Sequence, residues 1–197
     1  MGLGNNSGKI TFVNIKKGMC AIKKENEVHL FEYVEGRLAD IEIRDEEYQG
    51  EKYKKLCLKI NDGKEDFLLQ MRLDSGYGRA FCRIILNADL KKSMKIAPTF
   101  SEKDGKQAGG MFINQDGKAL KWYFTKDNPH DLPPMKEVTF KGKTQWDNTE
   151  QMVYFTDMLL NKIKPNLVHD IIAGPAHQLD EVPDAKDVTE PIDDLPF

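Results

Sequence analysis

Between Lys54 and Leu73, apolar and polar residues alternate with a period of two on either side of Asn61-Asp62-Gly63. Only an antiparallel hairpin with one buried face has that period and that turn, because Asn, Asp and Gly tolerate the positive φ a tight connection demands. Strands are therefore expected over 54–60 and 66–73. Leu56, Leu58, Ile60, Phe67, Leu69, Met71 and Leu73 would point inward, leaving Lys55, Cys57, Lys59, Leu68, Gln70 and Arg72 on the other face. Similar short runs at Lys9–Ile15, Val28–Val34 and Leu38–Arg44 predict further strands, and Asp116-Gly117 predicts a second hairpin between 111–114 and 119–125.

Two segments break this period. Tyr77, Ala80, Phe81, Ile84, Ile85 and Ala88 recur at helical spacing, and so do Met152, Phe155, Leu159 and Ile163. The second helix is expected over 149–164, with Asp147 and Glu150 at capping-box spacing and Pro165 as a stop. Three strands, a helix and further strands follow the β-β-β-α-β-β order of an OB-fold. The expected fold is mostly β: an OB-fold barrel with an inserted helix, an extra C-terminal helix and an N-terminal β extension. With 197 residues, 40% of them hydrophobic, the chain is long enough for one core.

The charge is unevenly distributed. Residues 174–197 carry seven acids against one base, which leaves 28 Lys and Arg against 25 Asp and Glu in residues 1–173, a net +3. The terminal stretch also holds four prolines and no periodic apolar face, so a disordered acidic tail is expected over 174–197, after a domain over 1–173. No run of about 18 apolar residues would span a bilayer, and Met1-Gly-Leu-Gly-Asn-Asn lacks a charged region leading into an apolar one. The expected location is cytoplasmic.

Known catalytic and metal-binding patterns find little purchase. Cys20, Cys57 and Cys82 are odd in number, widely spaced and set in apolar runs, which suits reduced structural thiols and not zinc. Gly2–Lys9 has the wrong spacing for a phosphate loop, Gly76-Tyr77-Gly78-Arg79 lacks the third glycine of a dinucleotide fingerprint, and Asn114–Gly117 lacks a calcium loop's downstream Glu. The last two are expected as turns. His29, His130, His169 and His177 are far apart, no serine sits in GxSxG, and Asp131 with Asp147 has nothing to set it apart from ordinary surface acids. No enzyme activity and no cofactor are expected.

The most specific motif is the last five residues, Asp193-Asp194-Leu195-Pro196-Phe197. A terminal Phe presents its ring beside the free α-carboxylate, so it can fill an apolar pocket while a rimming cation holds the carboxylate. The proline restricts the backbone and lowers the entropy lost on docking. This tip resembles the C-terminus of bacterial single-stranded DNA-binding proteins, Asp-Asp-(Ile/Leu)-Pro-Phe at the free end. The resemblance implies an OB-fold that coats single-stranded DNA and a tail tip that recruits replication, recombination and repair enzymes such as a polymerase, primase, helicase or nuclease. The chain differs in its short linker, the helix near 149–164 and the N-terminal extension, which look more like a bacteriophage version. Those differences remove the basis for expecting the family's tetramer, and self-association stays open.

Physical chemistry alone then nominates a DNA-facing set. Lys55, Lys59, Arg72 and Lys121 would meet phosphates, while Tyr53, Phe112 and Tyr123 would stack bases. Two other readings fit the same residues. One is an RNA-binding or recombination-mediator protein on the same barrel, and the other is a phage structural or host-interaction β domain with a docking tail.

Overall fold

The computed structural model describes residues 10–25, 27–140 and 143–167, so the expected tail over 174–197 and the Gly2–Lys9 segment lie outside the described residues. Eleven strands form two sheets among them: β1 (Ile10–Lys16), β2 (Met19–Lys24), β3 (Glu27–Phe31), β4 (Val34–Tyr48), β5 (Glu51–Asn61), β6 (Asp66–Arg72), β7 (Met94–Lys103), β8 (Lys106–Gln115), β9 (Lys118–Ala119), β10 (Lys136–Phe140) and β11 (Lys143–Asp147). Helix α1 (Gly76–Ile84) separates β6 from β7, and α2 (Thr149–Asp157) continues through a π-helical turn at Met158–Ile163. No helix among the described residues is long and apolar enough to cross a membrane.

The chain is mostly β, as its alternation requires. Nine strands make one sheet in the order β3-β2-β1-β6-β5-β4-β7-β8-β9, antiparallel except for the parallel pair β1–β6. In the hairpin β5–β6, Leu56, Leu58, Ile60 and Leu69 are completely buried, and Asn61 and Asp62 side chains accept the turn's N–H groups from Gly63, Lys64 and Glu65. A fully buried aliphatic side chain contributes about 1.5–3 kcal/mol relative to exposure, so this inward row alone fixes the register. The sheet also curls back on itself. The N–H of Gly18, in the β1–β2 turn at φ +74°, donates to the Tyr77 hydroxyl at 3.1 Å, and a Cβ there would lie 2.6 Å from Phe100 N on β7.

The expected second hairpin is present but short: its turn, Asp116-Gly117, takes φ +51° and +75°, and β8 pairs with β9 through Asn114–Ala119 and Gln115–Lys118. The long partner of β8 is β7, through a turn in which Asp104 and Gly105 take φ +52° and +70°. Of the run 119–125, only Ala119 is in the ladder with β8, followed by the Leu120 N–H donating to Ile113 O at 2.8 Å. The chain then leaves the sheet because the Tyr123 N–H donates to Arg83 O at 2.6 Å and Phe124 turns under α2, with Phe155 at 6.0 Å between ring centroids. Trp122 is 46% exposed.

Gly76–Arg79, expected as a turn, is instead the first turn of α1. The Ser75 hydroxyl caps it, accepting from Gly78 N–H at 3.2 Å and donating to Arg72 O at 2.6 Å. Gly76 is required by contact, since a Cβ there would sit 2.1 Å from Gly109 O on β8. We expect Gly76→Ala to lower unfolding stability by about 1–3 kcal/mol and Ser75→Ala by about 1 kcal/mol in urea denaturation. An unaffected Gly76→Ala would contradict this close helix–sheet approach. At α2 the cap is Asn148, which makes no side-chain capping bond; Asp147, one residue earlier, accepts from the N–H and hydroxyl of Thr149 at 2.9 and 2.5 Å. Glu150 does not complete a capping box, because its carboxylate is taken by Lys136.

Candidate nucleic-acid interface

The register places four nominated residues together. Lys55 faces Arg72 across β5–β6, while Tyr53 and Lys59 lie on the same face of β5. Each cation is already engaged: Lys55 with Glu46 at 2.5 Å, Lys59 with Asp66 at 2.9 Å, and Arg72 with Glu51 and Asp74 at 3.0 and 2.9 Å. Arg72 also lies 4.8 Å from the Tyr53 ring centroid, and the Tyr53 hydroxyl donates to Glu46 at 3.0 Å. The hydrogen bond from Lys55 holds the Glu46 carboxyl below its usual range, and Arg72 does the same to Glu51 and Asp74. On the neighbouring strand β4, Arg44 pairs with Glu42, and Asp40 is held by Lys164 at 2.9 Å. Carboxylates outnumber cations on this face. It is a charge-compensated lattice of half-exposed pairs, and such pairs leave little net positive field for a phosphate.

The remaining nominated residues lie elsewhere. Phe112, on β8 opposite Ala97, is 53% exposed between buried Met111 and Ile113, so its outward orientation agrees with the alternation. Strands β4 and β7 separate it from β5. Lys121 is exposed in the segment after β9, and its carbonyl accepts from the Asn87 side chain at 2.9 Å. Tyr123 has one ring face covered by His130, stacked at 4.1 Å and 12°, and its edge meets Phe124 at 4.9 Å. It is a packing residue.

A second constellation was not nominated from the sequence. Arg83, at the end of α1, sits 5.4 Å from the ring centroid of exposed Trp122. Both line an open cleft of about 540 Å³ with Phe124, Lys126, Leu132, Pro133, Pro134 and Gln151 among its walls. Arg83 has no carboxylate partner among the described residues, and its Nε is buried without an acceptor. Burial pushes its guanidinium below the usual range, and the nearby positive charge of Arg79 pushes it further. The Oε1 of Gln151, a residue 5% exposed, is likewise buried without a donor, while its Nε2 donates to Pro133 O at 2.7 Å.

A half-buried cation repelled by a second cation is costly unless an anion joins it. An indole beside it offers a flat apolar face to a planar ring. Anion and ring together are what a nucleotide supplies. Cys20, Cys57 and Cys82 are buried free thiols, burial raising Cys20 to about 11, and no cluster of potential metal ligands occurs among the described residues. No family model, no curated protein and no solved structure matches this chain.

Proposed function

We propose that the body binds single-stranded DNA without sequence preference, and that the tip Asp193–Phe197 recruits replication, recombination or repair proteins. The observation that carries the reading is the Arg83–Trp122 pair, an unneutralised guanidinium and an exposed indole opening on one cleft. Lys126 lines it and the exposed Lys121 precedes Trp122 in the chain, so backbone phosphates would meet cations while a base stacks on Trp122. The interface therefore moves from the paired lattice on β5–β6 to the far end of α1.

The strand order β6-β5-β4-β7-β8, interrupted in sequence by α1, supports an OB-like body. In this variant β6 takes β1 on its outer edge, and the N-terminal extension β1–β2 curls toward β7. The proposal is tested by filter binding of oligo-dT, oligo-U and duplex DNA. Preference for oligo-dT at low salt, lost as salt rises, is the expected result. Equal or tighter retention of oligo-U would favour an RNA-binding role.

Deleting Asp193–Phe197 removes negative charge and the terminal ring together. DNA affinity should stay unchanged or rise slightly, because the acids compete with phosphate for the same cations. Capture of replication or repair enzymes on immobilised protein should be lost. A large fall in DNA affinity on that deletion would contradict the division of labour.

A further inference from the structure

Two exposed rings stand on either side of β7. Met94 and Ile96 are buried, so alternation turns Lys95, Ala97 and Thr99 to the outer face, and there Ala97 meets Phe112 of β8, which is 53% exposed. On the other side Val34 pairs with Ile96 across β4–β7, which brings Tyr33, 40% exposed, alongside Ala97. The Ala97 methyl therefore lies between two rings. Backbones two strands apart are separated by about 9–10 Å, and a planar ring in contact with an aromatic on each side needs about 7–8 Å. The adjoining row runs Glu35, Lys95, Asn114, Ala119 across β4, β7, β8 and β9. Lys95 faces Glu35, yet its ammonium rests on the Tyr33 ring, 3.5 Å from the centroid, and on no carboxylate among the described residues.

We infer that this face is a second base-binding platform: a base sits over Ala97 between Tyr33 and Phe112, and Lys95 meets the neighbouring phosphate. The inference rests on the DNA-binding reading and carries the same strand from the cleft onto the sheet. Two observations select a single strand of nucleic acid as the occupant. The outward residues beside the rings, Lys95, Ala97 and Thr99 on β7 with Gly110 and Asn114 on β8, include no Val, Leu, Ile or Met. A protein partner would find isolated rings without an aliphatic surface to pack on, whereas a base needs only a flat aromatic face and its phosphate a cation. The platform is also continuous with the cleft. Its polar row ends at Ala119, and the chain runs from there through exposed Lys121 to Trp122, so a strand leaving one site meets a further cation on the way to the other.

The test is anisotropy of a labelled oligo-dT of about 20 nucleotides, longer than the 4–16 that a single OB surface covers. The protein is the full chain carrying Trp146→Phe, so that Trp122 emission reports the cleft in the same titration. Phe112→Ala and Tyr33→Ala should each weaken binding roughly 5- to 150-fold, the range for one lost stack, with Trp122 still quenched at saturation. The urea midpoint of Phe112→Ala should be unchanged, its ring being exposed. Lys95→Met should reduce the slope of log affinity against log salt by about 0.7, the share of one phosphate on a single strand. In the unsubstituted protein, photocross-linking of an oligonucleotide carrying 5-iodouracil should label the peptide that holds Tyr33 or Phe112. Quenching of Trp122 with neither ring substitution changing affinity overturns the platform and leaves the cleft standing. Loss of affinity on Phe112→Ala without quenching of Trp122 supports the platform and removes the cleft. Failure to bind oligo-dT at all overturns both. Loss of self-association on Phe112→Ala, seen in sedimentation with DNA affinity intact, overturns the platform by placing a second copy on this face.

Discussion

Replacing Arg83 by Met should weaken oligo-dT binding by roughly 10- to 150-fold while leaving the unfolding free energy unchanged or slightly raised. The two effects separate because Arg83 lacks a carboxylate partner and its buried Nε lacks an acceptor. A charge-assisted hydrogen bond to phosphate contributes about 1.5–3 kcal/mol, and that is forfeited. Removing an unsatisfied buried donor offsets the loss of the guanidinium's contact with the Trp122 ring in the free protein. Trp122→Ala should lose about 1–3 kcal/mol of stacking, roughly 5- to 150-fold in affinity. Lys59→Ala, which removes a cation already paired with Asp66, should change affinity less than twofold. Fluorescence anisotropy of labelled oligo-dT measures all three. If Lys59→Ala were the damaging change and Arg83→Met silent, the interface would return to β5–β6.

Phe155→Ala should lower unfolding stability by about 3–5 kcal/mol, a large part of the 5–15 kcal/mol typical of a domain. Phe155 is completely buried on α2 and packs on Phe124, which meets Tyr154 edge-on at 5.8 Å. The ring therefore ties the C-terminal helix to the segment that carries Trp122. Urea denaturation should show one cooperative transition at a lower midpoint. A loss under 1 kcal/mol would mean that the helix is an appendage and that the cleft wall stands without it.

The fold was legible where local periodicity and turn chemistry agree. The β5–β6 hairpin, α1 and α2 all follow from spacing within fewer than about twenty residues. The β7–β8 hairpin carried a legible signal in Asp104-Gly105, obscured by Pro98, which reads as a strand breaker. The pairing of β4 with β7 covers only Val34–Gly36, so Pro98 lies beyond it and its missing N–H costs no ladder bond there. The parallel pair β1–β6 had no local signature, because its partners are 56 residues apart and no hairpin turn sets their register.

The candidate site was harder to read for a related reason. Alternation correctly puts Lys55, Lys59 and Arg72 outward, but their acid partners are set by the register and by the irregularity between Leu38 and Asp40 on β4. Cys57, expected between those lysines on the outer face, is completely buried there, with the Gln70 amide 3.9 Å from its sulfur. Arg83 gave no sign in the sequence, since the helical stripe marks the apolar face and is silent about which cation on its margin lacks a partner.

The central claim is that a strand of DNA lies across Trp122. The most direct measurement is the emission of a Trp146→Phe protein, in which Trp122 is the remaining tryptophan, titrated with oligo-dT at low and high salt. Saturable quenching that salt reverses is the predicted result. Unchanged Trp122 emission while the oligonucleotide is demonstrably bound would contradict it.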